Sequence, residues 1–249
     1  MPRIFIPSTA IKEGRISITG EKARYLVSVL RCRKGDGLVV FDGRGNCFRT
    51  MIIKADRREV ISEVIEEFPC NLESPINITL VQSLLKGEKM DSVIQKTTEL
   101  GVKEIIPVVT LRSQLRETRK VDRWRKIAEE SSRQSGRSVI PVVHEPIDFN
   151  YIFSTYTKQG RLNGFIFYEE EGMKISEAVE VLKVKGGERG LESNVFVIVG
   201  PEGGFTKEEI TLAKERGLLV TSLGRRVLRA ETAAISAVTL VQFLLGDLG

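Results

Sequence analysis

Two glycine-bearing turns near the carboxyl end constrain this chain more than any other feature. The first is Val199-Gly200-Pro201-Glu202-Gly203-Gly204-Phe205, and the second runs Leu223-Gly224-Arg225-Arg226-Val227-Leu228-Arg229-Ala230-Glu231-Thr232-Ala233. Each follows a short apolar run and opens into a helical pattern. Glycine at such a bend lets backbone N–H and C=O groups approach a flat ligand with no Cβ in the way. Open α/β sheets bind ligands at the carboxyl ends of their strands. The pair therefore predicts a sheet with a cofactor pocket at that edge.

The surrounding rhythm agrees. From Ile76 onward, strands and helices alternate. Ile76 to Leu84 reads as a strand. Lys89 to Leu100 reads as an amphipathic helix with Met90, Val93, Ile94 and Leu100 inward and Gly101 at its end. Glu104 to Val109, Gly164 to Tyr168, Asn194 to Val199 and Leu218 to Leu223 read as strands, and Val121 to Gln134 as a helix. Thr206-Lys207-Glu208-Glu209 is a capping box opening a helix to Arg216. Glu231 to Leu245 is apolar almost all round, which requires burial in the core or at a subunit interface. The stretch Lys183 to Ser193, with Gly186, Gly187 and Gly190, reads as a mobile loop.

The first 70 or so residues have another character. Arg3 to Ile6, Gly37 to Phe41, Asn46 to Lys54 and Glu59 to Glu66 read as strands, and Glu21 to Leu30 as a helix. Turn signals stand at Asp42-Gly43 and Ala55-Asp56. A small barrel-like domain over residues 1–70 follows. Pro69 and Pro75 mark a linker, placed at 71–75, and the second domain spans 76–249. The expected fold class is α/β: a mostly parallel sheet with helices on both faces, plus a small N-terminal β-barrel.

Composition narrows the function classes. Among 249 residues, 41 % are hydrophobic and 29 % charged, as in a globular protein. No apolar run reaches the roughly 18 residues of a membrane span, and the start does not read as a signal peptide. Three cysteines, Cys32, Cys47 and Cys70, lack metal-ligand spacing. They read as reduced thiols, which places the chain in the cytoplasm. The net charge of +5 permits a nucleic-acid partner without demanding one. Positive residues gather between Arg112 and Arg137 and again at Arg225, Arg226 and Arg229. Phosphate-loop, dinucleotide and nucleophile-elbow motifs are absent. The lone histidine, His144, offers no catalytic dyad, and no metal site is expected. What remains is a cofactor held mainly by backbone.

The pair G-P-E-G-G-F and L-G-x-x-x-L-R-A-E-T-A resembles the RsmE family, methyltransferases of the SPOUT superfamily that methylate N3 of a uridine in 16S ribosomal RNA. The likeness extends over nearly the whole chain. Gln95-Lys96 with Thr98-Glu99-Leu100-Gly101-Val102, Pro107, Arg112-Ser113 and Arg137 to Pro141 resemble its catalytic domain. Arg3-Ile4-Phe5, Val29-Leu30-Arg31, Gly35-Asp36 and Asp42-Gly43 resemble its PUA-like barrel. One departure is Arg24-Tyr25, where the family often has histidines. The resemblance implies a trefoil-knotted C-terminal domain, S-adenosylmethionine bent within the knot, a homodimer whose interface includes the last helix, and 16S rRNA or the small ribosomal subunit as partner.

Site roles follow from that resemblance and from the strand ends. Tyr168, Glu169, Val199, Gly200, Glu202, Gly203, Leu223, Gly224, Val227, Leu228 and Ala233 are expected to line the cofactor. Arg229 is the expected catalytic anchor for uracil or phosphate, unless a salt bridge to Glu202 or Glu231 shapes the pocket instead. Glu202 is the expected proton acceptor or base-edge reader, unless it caps backbone amides. Glu231 and Thr232 are candidate caps of the last helix. Arg3, Arg24, Arg31, Lys89, Arg112, Arg123 and Arg137 are candidates for RNA phosphate contacts. Alternatives are another SPOUT substrate, such as a transfer-RNA ribose 2′-hydroxyl, or a non-catalytic RNA-binding assembly factor.

Overall fold

The computed structural model describes residues 1–70, 72–156, 162–186 and 194–249. They form two compact units, Met1–Glu73 with Ser132–Ile140, and Ser74–Ser131 with Pro141–Gly249.

The first unit is a curled six-stranded sheet in the order β1-β4-β5-β6-β3-β2. Its elements are β1 (Arg3–Phe5), β2 (Ile11–Lys12), β3 (Arg15–Thr19), α1 (Gly20–Arg24), β4 (Gly37–Phe41), β5 (Asn46–Ala55) and β6 (Glu59–Pro69). Only β1 and β4 pair in parallel. Alternation turns Ile16, Ile18, Leu38, Val40, Ile52 and Val60 onto one core with Ile4, Ala23 and Leu26. The helix expected to reach Leu30 stays α-helical only to Arg24 and continues as a π-helical turn over Tyr25–Val29. Leu30 N–H reaches back to Tyr25 O at 3.0 Å. β6 outruns its expected end because it pairs with β5 as far as Asn46 opposite Pro69. Proline is tolerated there as the strand's last residue.

Two expectations are corrected in this unit. Cys47 and Cys70 are joined in a disulfide, and only Cys32 is a free, buried thiol. The β5–β6 pairing brings together cysteines 23 residues apart, a proximity that sequence spacing does not reveal. The second correction concerns arginines 3 and 137. Arg137 is only 3 % exposed. Its Nε and Nη2 donate to Glu73 Oε2 at 3.1 and 2.7 Å. The Ser138 and Val139 amides donate to Glu73 Oε1, each at 3.0 Å. Arg3 Nη2 donates to Arg137 O at 2.9 Å and also lies against both cystine sulfurs. Both arginines therefore hold the Ser132–Ile140 stretch within the first unit and are not free for phosphate.

The second unit is built on an all-parallel sheet ordered β10-β8-β7-β13-β11-β14-β12, with β9 beside β8. In chain order it contains β7 (Asn77–Ser83), α2 (Lys89–Glu99), β8 (Glu104–Val109), α3 (Val121–Ser135), β9 (Val142–Val143), β10 (Ile147–Asp148) and α4 (Ile152–Thr155). β11 (Gly164–Phe167), β12 (Met173–Lys174), α5 (Ile175–Gly186), β13 (Asn194–Val199), α6 (Lys207–Glu215), β14 (Leu219–Ser222) and α7 (Ala230–Leu245) follow. β13 lies inside the sheet and buries everything from Val195 to Val199, as its uninterrupted apolar run requires. Val81, Ile106, Ile166, Ile198, Phe149 and Phe205 share one core. The capping box of α6 forms: Thr206 and Glu209 satisfy each other's backbone amides.

α7 buries Ala234, Ala237, Val238 and Val241, and Gln242 Nε2 ties it to Leu100 O at 2.8 Å. Its other face is open, with Phe243 57 % exposed. α5 forms where the sequence pattern predicts no helix. Lys183–Gly186 belong to it, and the rest of the expected loop, 187–193, lies outside the described residues.

Candidate active site

Phe167 pairs with Val199 on one flank and Thr221 on the other. β11, β13 and β14 thus end side by side, and the turns leaving them wall a cavity of about 610 Å³. β11 contributes Phe167, Tyr168 and Glu169. The bend after β13 contributes Val199, Gly200, Pro201, Glu202 and Gly204. The bend after β14 contributes Ser222, Leu223, Gly224, Arg226, Val227, Leu228 and Arg229, with Ala230 and Ala233 from α7 and Lys89 from α2. The structure so brings together the expected catalytic pair and every expected cofactor residue but Gly203. Gly203 lies beside the cavity, where its carbonyl accepts from Arg112 Nη1 at 3.2 Å. Sequence reasoning missed Phe167, Pro201, Gly204, Ser222, Arg226 and Ala230 as lining residues. All sit within or next to the two turn motifs and the strand ends that flank them.

Local bonding explains the shape of both bends. Gly204 N–H donates to Pro201 O at 3.0 Å and closes the first. Gly204 has φ +68°, and a Cβ there would strike the Glu169 carboxylate. The Gly200 carbonyl accepts from buried Gln82 Nε2 at 3.3 Å. In the second bend, Gly224 takes φ +105°, which L side chains avoid. Its N–H and C=O both bond Ser222 Oγ, at 3.1 and 3.2 Å.

The charges divide clearly. Lys89 Nζ donates to Glu202 Oε1 at 2.8 Å. Burial works to raise the Glu202 pKa. The bonds from Lys89 and from the Glu202 and Lys86 amides outweigh it and hold the carboxyl below its ordinary value. The hydrogen bond to Glu202 also raises the Lys89 pKa. Burial, followed by a hydrogen bond to Glu170, pushes the Tyr168 phenol up to about 12, so it stays neutral. Arg229 makes no salt bridge to Glu202 or Glu231; Lys89 occupies that place. Among the described residues its guanidinium has no acidic partner. Its backbone caps α7, accepting from Ala233 N–H at 2.8 Å, and no side chain caps that helix. The carboxyl Oε2 of Glu231 is buried without a partner.

The positive residues expected to meet RNA have varied fates. Arg112 bridges the carbonyls of Gly203 and Phe205. Arg123 Nε donates to Asp91 Oδ2 at 2.8 Å. Arg24 and Arg31, in the first unit, are exposed and have no partner among the described residues. His144 lies away from the cavity, between Glu104 Oε2 at 3.2 Å and the Tyr156 hydroxyl at 3.4 Å.

A cavity of this size suits a nucleoside-sized ligand. The two glycine bends give it backbone walls, and the neutral Tyr168 adds no charge. The residues present therefore fit S-adenosylmethionine.

Comparison with known proteins gives the same direction. Residues 72–242 match the model of an RNA methyltransferase domain, and residues 18–65 that of an RNA methyltransferase PUA domain. The chain is 31 % identical to the ribosomal RNA small subunit methyltransferase E of Bacillus subtilis, over 98 % of this chain and 96 % of that protein. It is 30 % identical to the protein of that name from Buchnera aphidicola, over 99 % and 95 %. The crystal structure of ribosomal RNA small subunit methyltransferase E from Neisseria gonorrhoeae bound to S-adenosyl methionine superposes with a TM-score of 0.87 at 31 % identity, covering all of both chains. With both of its modules matched and relatives aligned end to end, the chain belongs to the RsmE family of RNA methyltransferases.

Proposed function

We propose that this protein transfers a methyl group from S-adenosylmethionine to N3 of a uridine in 16S ribosomal RNA. The observation that carries this reading is the cavity between the two glycine bends, with Arg229 unpaired at its wall. S-adenosylmethionine supplies an electrophilic methyl on a sulfonium and needs no metal. Val199, Gly200, Leu223, Gly224 and Leu228 hold it mainly through backbone, with Tyr168, Glu169, Val227 and Ala233 completing the walls and Gly203 bracing the first bend.

The acceptor makes demands of its own. Uracil N3 carries a proton between two carbonyls, and charge spreads to O2 and O4 as that proton leaves. A cation aimed at that charge lowers the barrier, and Arg229 is placed to serve. Glu202 is held ionised by Lys89. It is suited to accept a hydrogen bond from N3–H, so aligning the ring, and to take that proton and pass it to water as the methyl group reaches N3. The target base must leave its stack to enter the cavity, and Arg24, Arg31, Arg112 and Arg123 are candidates to steady the RNA.

Three further features belong to the same proposal: trefoil threading of the C-terminal domain, a homodimer through the open apolar face of α7, and residence in the cytoplasm. No described helix is long and apolar enough to cross a membrane. The test is nucleoside mapping by mass spectrometry after incubation with unmodified small subunits. 3-Methyluridine is expected; methyl on a ribose, or on transfer RNA only, contradicts the reading.

A further inference from the structure

A second cavity, of about 330 Å³, opens beside the first in the same unit. Its walls come from the β7–α2 loop and from the segment entering α3. Leu85, Leu115 and Trp124 form an apolar floor, and Lys86, Arg119 and Lys120 stand around it. Trp124 is 1 % exposed, and its Nε1 is fixed to Asp91 Oδ1 at 3.0 Å, so the floor is rigid. The rim is cationic and uncommitted. Among the described residues, Lys86 and Arg119 make no ion pair or hydrogen bond through their side chains. Lys120 Nζ spends one N–H on Gly87 O, at 2.9 Å, and keeps the others. Glu117 and Thr118 add acceptors to the same wall.

We propose that this cavity is a ribose-phosphate subsite for a nucleotide flanking the target base. The subsite rests on the RNA methyltransferase function proposed for the first cavity and extends it. Two unpaired cations suit a phosphodiester. A carboxylate would repel that phosphate, but it suits a ribose 2′-hydroxyl, the group that separates RNA from DNA. The apolar floor receives the carbon face of the sugar. Placement also favours the subsite. The β7–α2 loop and the start of α2 link the two cavities: Leu85, Lys86 and Gly87 of the loop face the second, while Lys89, the first residue of α2, faces the first. The Lys86 backbone also helps to hold the Glu202 carboxyl below its ordinary value. A strand gripped at Lys86 and Arg119 is thereby anchored within a few residues of the cavity that takes the flipped base. Such a grip offsets part of the cost of unstacking that base. It also gives the positive charge of this region a role that Lys89, paired with Glu202, does not fill.

The test uses the full-length protein, S-adenosylmethionine and small ribosomal subunits lacking the modification. Wild-type protein, the charge-removing variant Lys86→Gln/Arg119→Gln and the charge-keeping variant Lys86→Arg/Arg119→Lys are compared across a salt series. The charge-removing variant is expected to lose about tenfold or more in kcat/KM. Its log–log salt slope should be shallower by about 0.7 for each phosphate no longer neutralised. Its affinity for S-adenosylmethionine, measured by calorimetry, should equal that of the wild type, which shows that the fold is intact. The charge-keeping variant should retain most of the wild-type slope. Glu117→Ala should lower kcat/KM and leave the slope unchanged. Methyl transfer by the wild type with an unaltered slope in the charge-removing variant overturns the subsite alone. Failure of the wild type to methylate small subunits while still binding S-adenosylmethionine overturns the substrate reading and the subsite with it.

Discussion

Arg229 and Glu202 face the same cavity with opposite degrees of commitment. Glu202 is engaged by Lys89 and by backbone amides, whereas Arg229 has only the field of its neighbours. Arg229→Ala is therefore expected to lower kcat by about 100-fold, with the Kd for S-adenosylmethionine unchanged. Single-turnover transfer and calorimetry check the two halves of that statement. The Lys89–Glu202 bond has a definite pH sign. A carboxyl held low in the folded state contributes stability above its ordinary value. That contribution is lost as pH falls through the lowered one. Carboxyl-carbon NMR should show Glu202 titrating below 4.5, its ordinary value, and Lys89→Met should move it upward.

At the scale of elements, the parts of the site closest to the chemistry are the most legible in the sequence. β8 and β13 follow their expected bounds because their apolar runs are sharply delimited. The α6 capping box announces itself as Thr206 and Glu209. Gly204 and Gly224 flag bends that only glycine makes easily, and at Gly200 a Cβ would crowd the Phe205 ring. Longer-range pairings are not legible. Nothing local in Arg137 or Glu73 indicates that the chain returns at Ser132–Ile140 to complete the first unit. A charged residue read by itself suggests a surface, and Arg137 is buried where the Glu73 carboxylate, which also accepts from the Ser138 and Val139 amides, meets it. α5 is hard to read because its first turns mix Glu177 and Glu180 with scattered aliphatics and its end runs into glycines. The Arg137–Glu73 pair predicts a specific cost. Arg137→Ala strands a part-buried carboxylate and should destabilise the first unit by about 3 kcal/mol. Denaturant melts followed by a probe in that unit would read the loss, while the S-adenosylmethionine affinity stays as in the wild type.

At the scale of the whole molecule, each unit carries its own device. In the first, the Cys47–Cys70 disulfide closes a loop of 23 residues, worth about 3 kcal/mol by chain entropy. Titration of the denatured, unreduced protein should find the single thiol of Cys32, and dithiothreitol should expose the other two while lowering the stability of that unit. Such bonds are uncommon in reducing compartments, so this one is an exception to the proposed cytoplasmic setting, and the sequence hides it because its partners meet only through strand pairing. In the second unit, α7 buries its small residues and leaves Phe243 outward; the proposed homodimer predicts that Phe243→Glu shifts the mass seen by light scattering from dimer to monomer. The central claim concerns the two bends themselves. A crystal structure with S-adenosylhomocysteine, the demethylated product, tests it most directly. The account predicts density between Val199–Gly204 and Leu223–Leu228, with the ligand bonded to main-chain atoms and Arg229 near its sulfur end. Density elsewhere, with both bends empty, would contradict it.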